Sequence, residues 1–70
     1  KRITMVMIRI DNRDAQAAFE GAIRDGRLSD DPRSPIYAGR YMYMGTRVYL
    51  DLSAPDRDLF KHSANRQYLA

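Results

Sequence analysis

A chain of 70 residues with a net charge of +3 has room for one domain, taken as residues 1–70, and buries only about 60% of its unfolded surface. With no cysteine it can hold neither a disulfide nor a thiolate metal site, which suits a cytoplasmic setting. The excess of 12 Lys/Arg, ten of them arginine, over 9 Asp/Glu is mild, far short of a histone-like tail.

The first segment, ITMVMIRI (3–10), reads as a β-strand from its β-branched content and length. Its apolar residues fall on both faces, Ile3, Met5 and Met7 on one, Val6, Ile8 and Ile10 on the other. That pattern predicts a strand covered on both sides. Lys1-Arg2 followed by ITMVMI has the start of a signal peptide, but Arg9 and Asp11 cut the apolar stretch short. No apolar run approaches the roughly 18 residues of a membrane-spanning helix, so no membrane role is expected.

Asp11 and Asn12 then offer an N-cap, with Asp14 three residues on to close a capping box. Ala15, Ala18, Phe19, Ala22 and Ile23 follow at the spacing of an amphipathic helix, predicted over about 13–25, with Gly26 as its C′ residue. LSDDPRSP (28–35) is predicted as a loop because Pro32 and Pro35 resist regular structure.

Residues 37–52, YAGRYMYMGTRVYLDL, read as a β-hairpin about a Gly45-Thr46 turn. One face then carries Tyr41, Tyr43, Val48, Leu50 and Leu52, and the other Met42, Met44, Arg47, Tyr49 and Asp51. Ser53, Pro55 and Asp56 form a second N-cap signature, predicting a short helix to about residue 62. The tail SANRQYLA reads equally as continued helix or as an extended edge. The predicted fold is α+β in the order β-α-β-β-α, a small three-stranded sheet with one main helix packed on a face. The predicted core is Ile8, Ile10, Phe19, Ile23, Tyr41, Tyr43, Val48 and Leu50, and the crossover from the first strand to the hairpin is expected to be right-handed.

No catalytic constellation is legible. His62 is the only histidine; Asp58 at i−4 on a helix would orient it, but no nucleophile is placed by a motif beside it. SDDP and PDRD are cap and turn chemistry with too few ligands for a metal. No phosphate-binding glycine motif occurs, so no cofactor is expected and the chain is read as non-enzymatic.

Two binding readings compete. Arg40, Arg47, Lys61, His62 and Arg66 surround the tyrosine-rich stretch, as a small basic nucleic-acid-binding protein would have them, although no RNP, KH or helix-turn-helix pattern occurs. Met42, Met44, Arg47 and Tyr49, with Arg40 and Arg66 at the rim, are instead the residue types enriched where proteins meet proteins. This second reading is preferred: a small domain has few large apolar residues to leave outside its core. A second copy of the chain is the competing occupant of that face, as a homodimer.

The runs GRLS (26–29), YAGRYMYMG (37–45), DLFKH (58–62) and RQYL (66–69) resemble short uncharacterised proteins encoded on phages and plasmids. The resemblance covers about two thirds of the chain, and TRVYLDLSAP between MYMG and DLFKH departs from its spacing. It implies a mobile-element setting, where proteins of this size act by binding host machinery. The implied partner is a host protein or ribonucleoprotein complex of the defence system, in an anti-CRISPR or antirestriction role.

Overall fold

The computed structural model describes residues 7–70. Elements follow in the order β1 (Ile8–Asp11), α1 (Ala15–Arg24), a 3₁₀ turn at Ala38–Arg40, β2 (Tyr41–Tyr49) and β3 (Arg57–His62). The three strands form one antiparallel sheet in the order β1-β2-β3. The α+β class, the three-stranded sheet and the helix on one face therefore stand as predicted. With β1 and β2 antiparallel, the handedness expected for a parallel crossover does not apply. The part of the predicted first strand at 3–6, with Ile3, Met5 and Val6, lies outside the described residues, as does Lys1-Arg2.

The helix starts one turn later than the capping box proposed. Asp14 is the N-cap, its carboxylate accepting from the Gln16 and Ala17 amides at 3.0 and 3.3 Å. Asp11 instead closes β1 and pairs with Arg9 at 2.7 Å, an exposed contact worth little to stability. The helix ends as the sequence predicts. Gly26 takes φ +79, and the amides of Gly26 and Arg27 bond back to Ile23 and Ala22 at 3.1 and 2.9 Å, the Schellman pattern.

The main corrections concern residues 41–62. No hairpin forms at Gly45-Thr46; β2 runs straight through, and the chain reverses beyond Tyr49. What Gly45 provides is a bulge. Tyr43 opposes Phe60 and Thr46 opposes Asp58, so β2 carries one residue more than β3 between these pairs. Gly45 has φ +95, and a Cβ there would come within 2.6 Å of Ile10 Cγ2, so both backbone and space require glycine. A bulge shifts side-chain alternation by one, as a two-residue turn does, and the predicted division of faces survives on β2 for this different reason.

The second helix is absent: Arg57–His62 is β3, whose residues alternate Asp58, Phe60, His62 on one face and Arg57, Leu59, Lys61 on the other. The tail extends beside β3, with Tyr68 opposite Lys61, the Leu69 amide bonded to Phe60 O at 2.9 Å and the His62 amide to Gln67 O at 2.8 Å.

The core lies between α1 and the Tyr43/Phe60 face. Ala18, Ala22, Leu28 and Phe60 are buried, with Phe19, Ile23, Ile36, Tyr41, Tyr43 and Leu69 packed around them. The Phe60 ring sits 5.0 Å from Phe19 and 6.1 Å from Tyr43, with the Arg27 guanidinium 5.5 Å from its centre. Burial lowers the Arg27 pKa from its ordinary value, and the neighbouring Arg57 lowers it further. Ile8, Ile10 and Leu50, placed in the core by the sequence, are exposed, and Leu52 is 88% exposed. Ile8, Arg9 and Ile10 are exposed and Asp11 is half-buried, so the prediction of a strand covered on both sides fails over Ile8–Asp11.

Candidate functional site: the open face of the sheet

Strand pairing places Ile8 beside Tyr49, Arg47 between Ile10 and Arg57, and Lys61 between Met42 and Tyr68, all on the face turned away from α1. Met44 and Leu59 share this face by alternation. Since residues 57–62 form a strand, the helix predicted after Ser53 is not there to cover it. Ile8 and Ile10 stay about half exposed, at 49% and 53%, and Met42 and Met44 at 36% and 37%.

Four of the six residues singled out from the sequence, Met42, Met44, Arg47 and Tyr49, thus share one surface. Arg47 Nη1 donates to the Tyr49 hydroxyl at 3.1 Å, which orients both side chains. The other two are placed differently. Arg40 turns back on the proline loop, donating to the Ser34 and Pro32 carbonyls at 2.9 Å each and lying 5.6 Å over the Tyr37 ring. Its hydrogen bonds are spent on holding that loop. Arg66 is exposed in the turn after β3, with φ +65 and its amide bonded to His62 O.

Sequence reasoning named Lys61 only among the basic residues around the tyrosine-rich stretch, and missed Ile8, Ile10, Arg57, Leu59 and Tyr68 as members of this surface. The two isoleucines were expected inside, and 57–62 was read as helix. RDLFKH carried no period-two signal of a strand, because its two apolar residues, Leu59 and Phe60, are adjacent rather than alternating.

His62 is half-buried at the end of β3. It meets Tyr41 edge-on at 5.1 Å, and its Nδ1 accepts from the Ala64 and Asn65 amides at 3.1 and 3.2 Å. On a strand, Asp58 lies too far along to orient it and bonds to Thr46 instead. On the helix side, the Arg13 amide donates to the Tyr43 hydroxyl at 3.1 Å, Tyr43 to Thr46, and Thr46 to Asp58 Oδ1 at 2.6 Å. The fixed donor at one end and the carboxylate at the other settle the direction of every proton. This chain ties the segment before α1 to the bulge. It borders a groove of about 250 Å³ lined by Arg13, Asp14, Ala17, Ala18 and Asp58. Asp14 is already engaged as a helix cap, and Arg13 pairs with Asp56 at 3.0 Å. Among the described residues no cluster of three His, Cys, Asp or Glu side chains could hold a metal ion, and no helix is long and apolar enough to cross a membrane.

Compared with family models, curated proteins and solved structures, the chain matches none.

Proposed function

We propose that this chain is a non-enzymatic protein-binding module that meets its partner with the open face of its sheet. The observation that carries this reading is that Ile8, Ile10, Met42 and Met44, on one face, are each a third to a half exposed. Contiguous apolar surface of this kind marks interaction sites on small soluble domains. Methionine suits such a surface because its unbranched, polarisable side chain adapts to irregular partners. The resemblance to short phage- and plasmid-encoded proteins supports a partner in a host defence complex, with the chain as an anti-CRISPR-like or antirestriction inhibitor in the cytoplasm.

The competing reading, a nucleic-acid-binding protein, is favoured by one specific observation: Arg47, Arg57 and Lys61 on this face are interspersed with Tyr49 and Tyr68. Capture from host lysate on the wild-type chain and on a Met42→Ser/Met44→Ser variant separates the readings. Under the protein-binding reading, a nuclease-resistant protein is retained by the wild type and lost by the variant, with the circular dichroism of the two unchanged. Retention that disappears with nuclease treatment overturns it.

A further inference from the structure

The open face carries a charge pattern that folding does not explain. Arg47 and Arg57 are directly opposite each other on neighbouring strands. Like charges in that position destabilise a sheet. The two carboxylates on the strands, Asp11 and Asp58, register with Thr46 and so lie on the other face. Asp11 is held there by Arg9, and Asp58 by Thr46. Among the described residues no ion pair involves Arg47, Arg57 or Lys61, and residues 1–6, KRITMV, contain no carboxylate to supply one. The charges that the strands themselves present on this apolar face are therefore all cationic.

Resting on the protein-binding reading, we infer that the partner is an acidic protein surface. One of its carboxylates seats between Arg47 and Arg57, and its apolar side chains cover Ile10, Met42 and Met44. Two planar guanidiniums side by side can each donate to one carboxylate, and the attraction that replaces their mutual repulsion appears only in the complex. The row Ile10–Arg47–Arg57 sets this anion seat directly beside the apolar patch, so a partner needs both features together. Charge complementarity also rejects a second copy, and the placement of the aromatic rings argues against nucleic acid. A second copy would set three cations against three with no carboxylate between them. A single-stranded nucleic acid would want aromatic rings at the centre of the sheet. Here the central strand presents Met42, Met44 and Arg47 with a single ring, Tyr49, at its far end, and Tyr68 lies beyond β3.

The test uses defined probes and methyl NMR of the intact chain: a leucine/glutamate amphipathic helical peptide, its leucine/lysine counterpart, and oligothymidine. The glutamate peptide is expected to shift the methyl signals of Ile10, Met42 and Met44, and the lysine peptide to leave them in place. Arg57→Gln should weaken the glutamate peptide by roughly tenfold. Its thermal midpoint should be equal or higher, a combination that a merely structural arginine would not give. Arg47→Glu/Arg57→Glu should reverse the preference toward the lysine peptide. Equal binding of both peptides overturns the charge inference and leaves the docking face standing. Shifts with oligothymidine alone overturn both, and no shift with any probe overturns the inference, leaving the lysate capture to decide the protein-binding reading independently.

Discussion

Truncating Phe60 to alanine should remove more stability than any other single apolar substitution in this chain. Its ring is the largest fully buried side chain, at 0% exposure, and it is enclosed by Phe19, Tyr43 and the Arg27 guanidinium. Burying and then deleting a phenylalanine costs about 3–5 kcal/mol through lost transfer energy and the cavity left behind. The two aromatic pairs add roughly 0.5–1.5 kcal/mol each beyond area, which places Phe60 toward the top of that range. At about 0.05–0.15 kcal/mol per residue the whole domain has only about 3.5–10 kcal/mol to lose. Phe60→Ala should therefore bring the chain close to unfolding at 25 °C. Urea denaturation followed by far-ultraviolet circular dichroism measures this, with Phe60→Leu as the variant that remains folded at a cost of about 1–2 kcal/mol. Phe19→Ala, at a half-buried site, should fall between the two. A loss below about 1 kcal/mol for Phe60→Ala, or a larger loss for Phe19→Ala, would refute the packing of α1 over β3 described above.

Replacing Thr46 with the isosteric valine strands the Tyr43 hydroxyl and removes the donor on Asp58, and should cost about 2 kcal/mol by the same urea assay. Leu52 holds φ +61 while almost wholly exposed, so Leu52→Asn, which tolerates that conformation, should raise stability by up to about 1 kcal/mol and the thermal midpoint by several degrees. Hydrogen bonds from Arg33, first its backbone amide and then its side chain, hold the Asp31 carboxyl below the ordinary aspartate value, and bonds from Ser53 do the same for Asp51. A carboxyl whose folded pKa is depressed contributes stability above its unfolded value, about pH 4, and loses it as pH falls through the folded value. Acid unfolding of Asp31→Asn/Asp51→Asn should accordingly be shallower below about pH 4 than that of the wild type; parallel curves would refute the linkage.

Residues 15–26 were legible because every signal there is local. The helical spacing, an acidic cap and a C′ glycine act within a turn or two of the chain, and only the choice of Asp14 over Asp11 waited for the structure. Gly45 was legible as a residue of positive φ, but the same backbone geometry serves a turn or a bulge. Its contact with Ile10 of β1, 35 positions away in sequence, belongs to the bulged strand rather than to a hairpin turn. Ser53, Pro55 and Asp56 carry a helix-start signature, yet the Phe60 ring finds its buried site only when 57–62 pairs with β2, and that long-range packing outweighs the local cap. The sequence by itself determined an α+β domain with a secure central helix and a Met/Arg/Tyr set sharing one face. The tertiary structure decided that among the described residues no second helix covers this face and that Ile8 and Ile10 join it, because what lies over a sheet depends on strand order and on which segments become strands rather than on any residue's own preference.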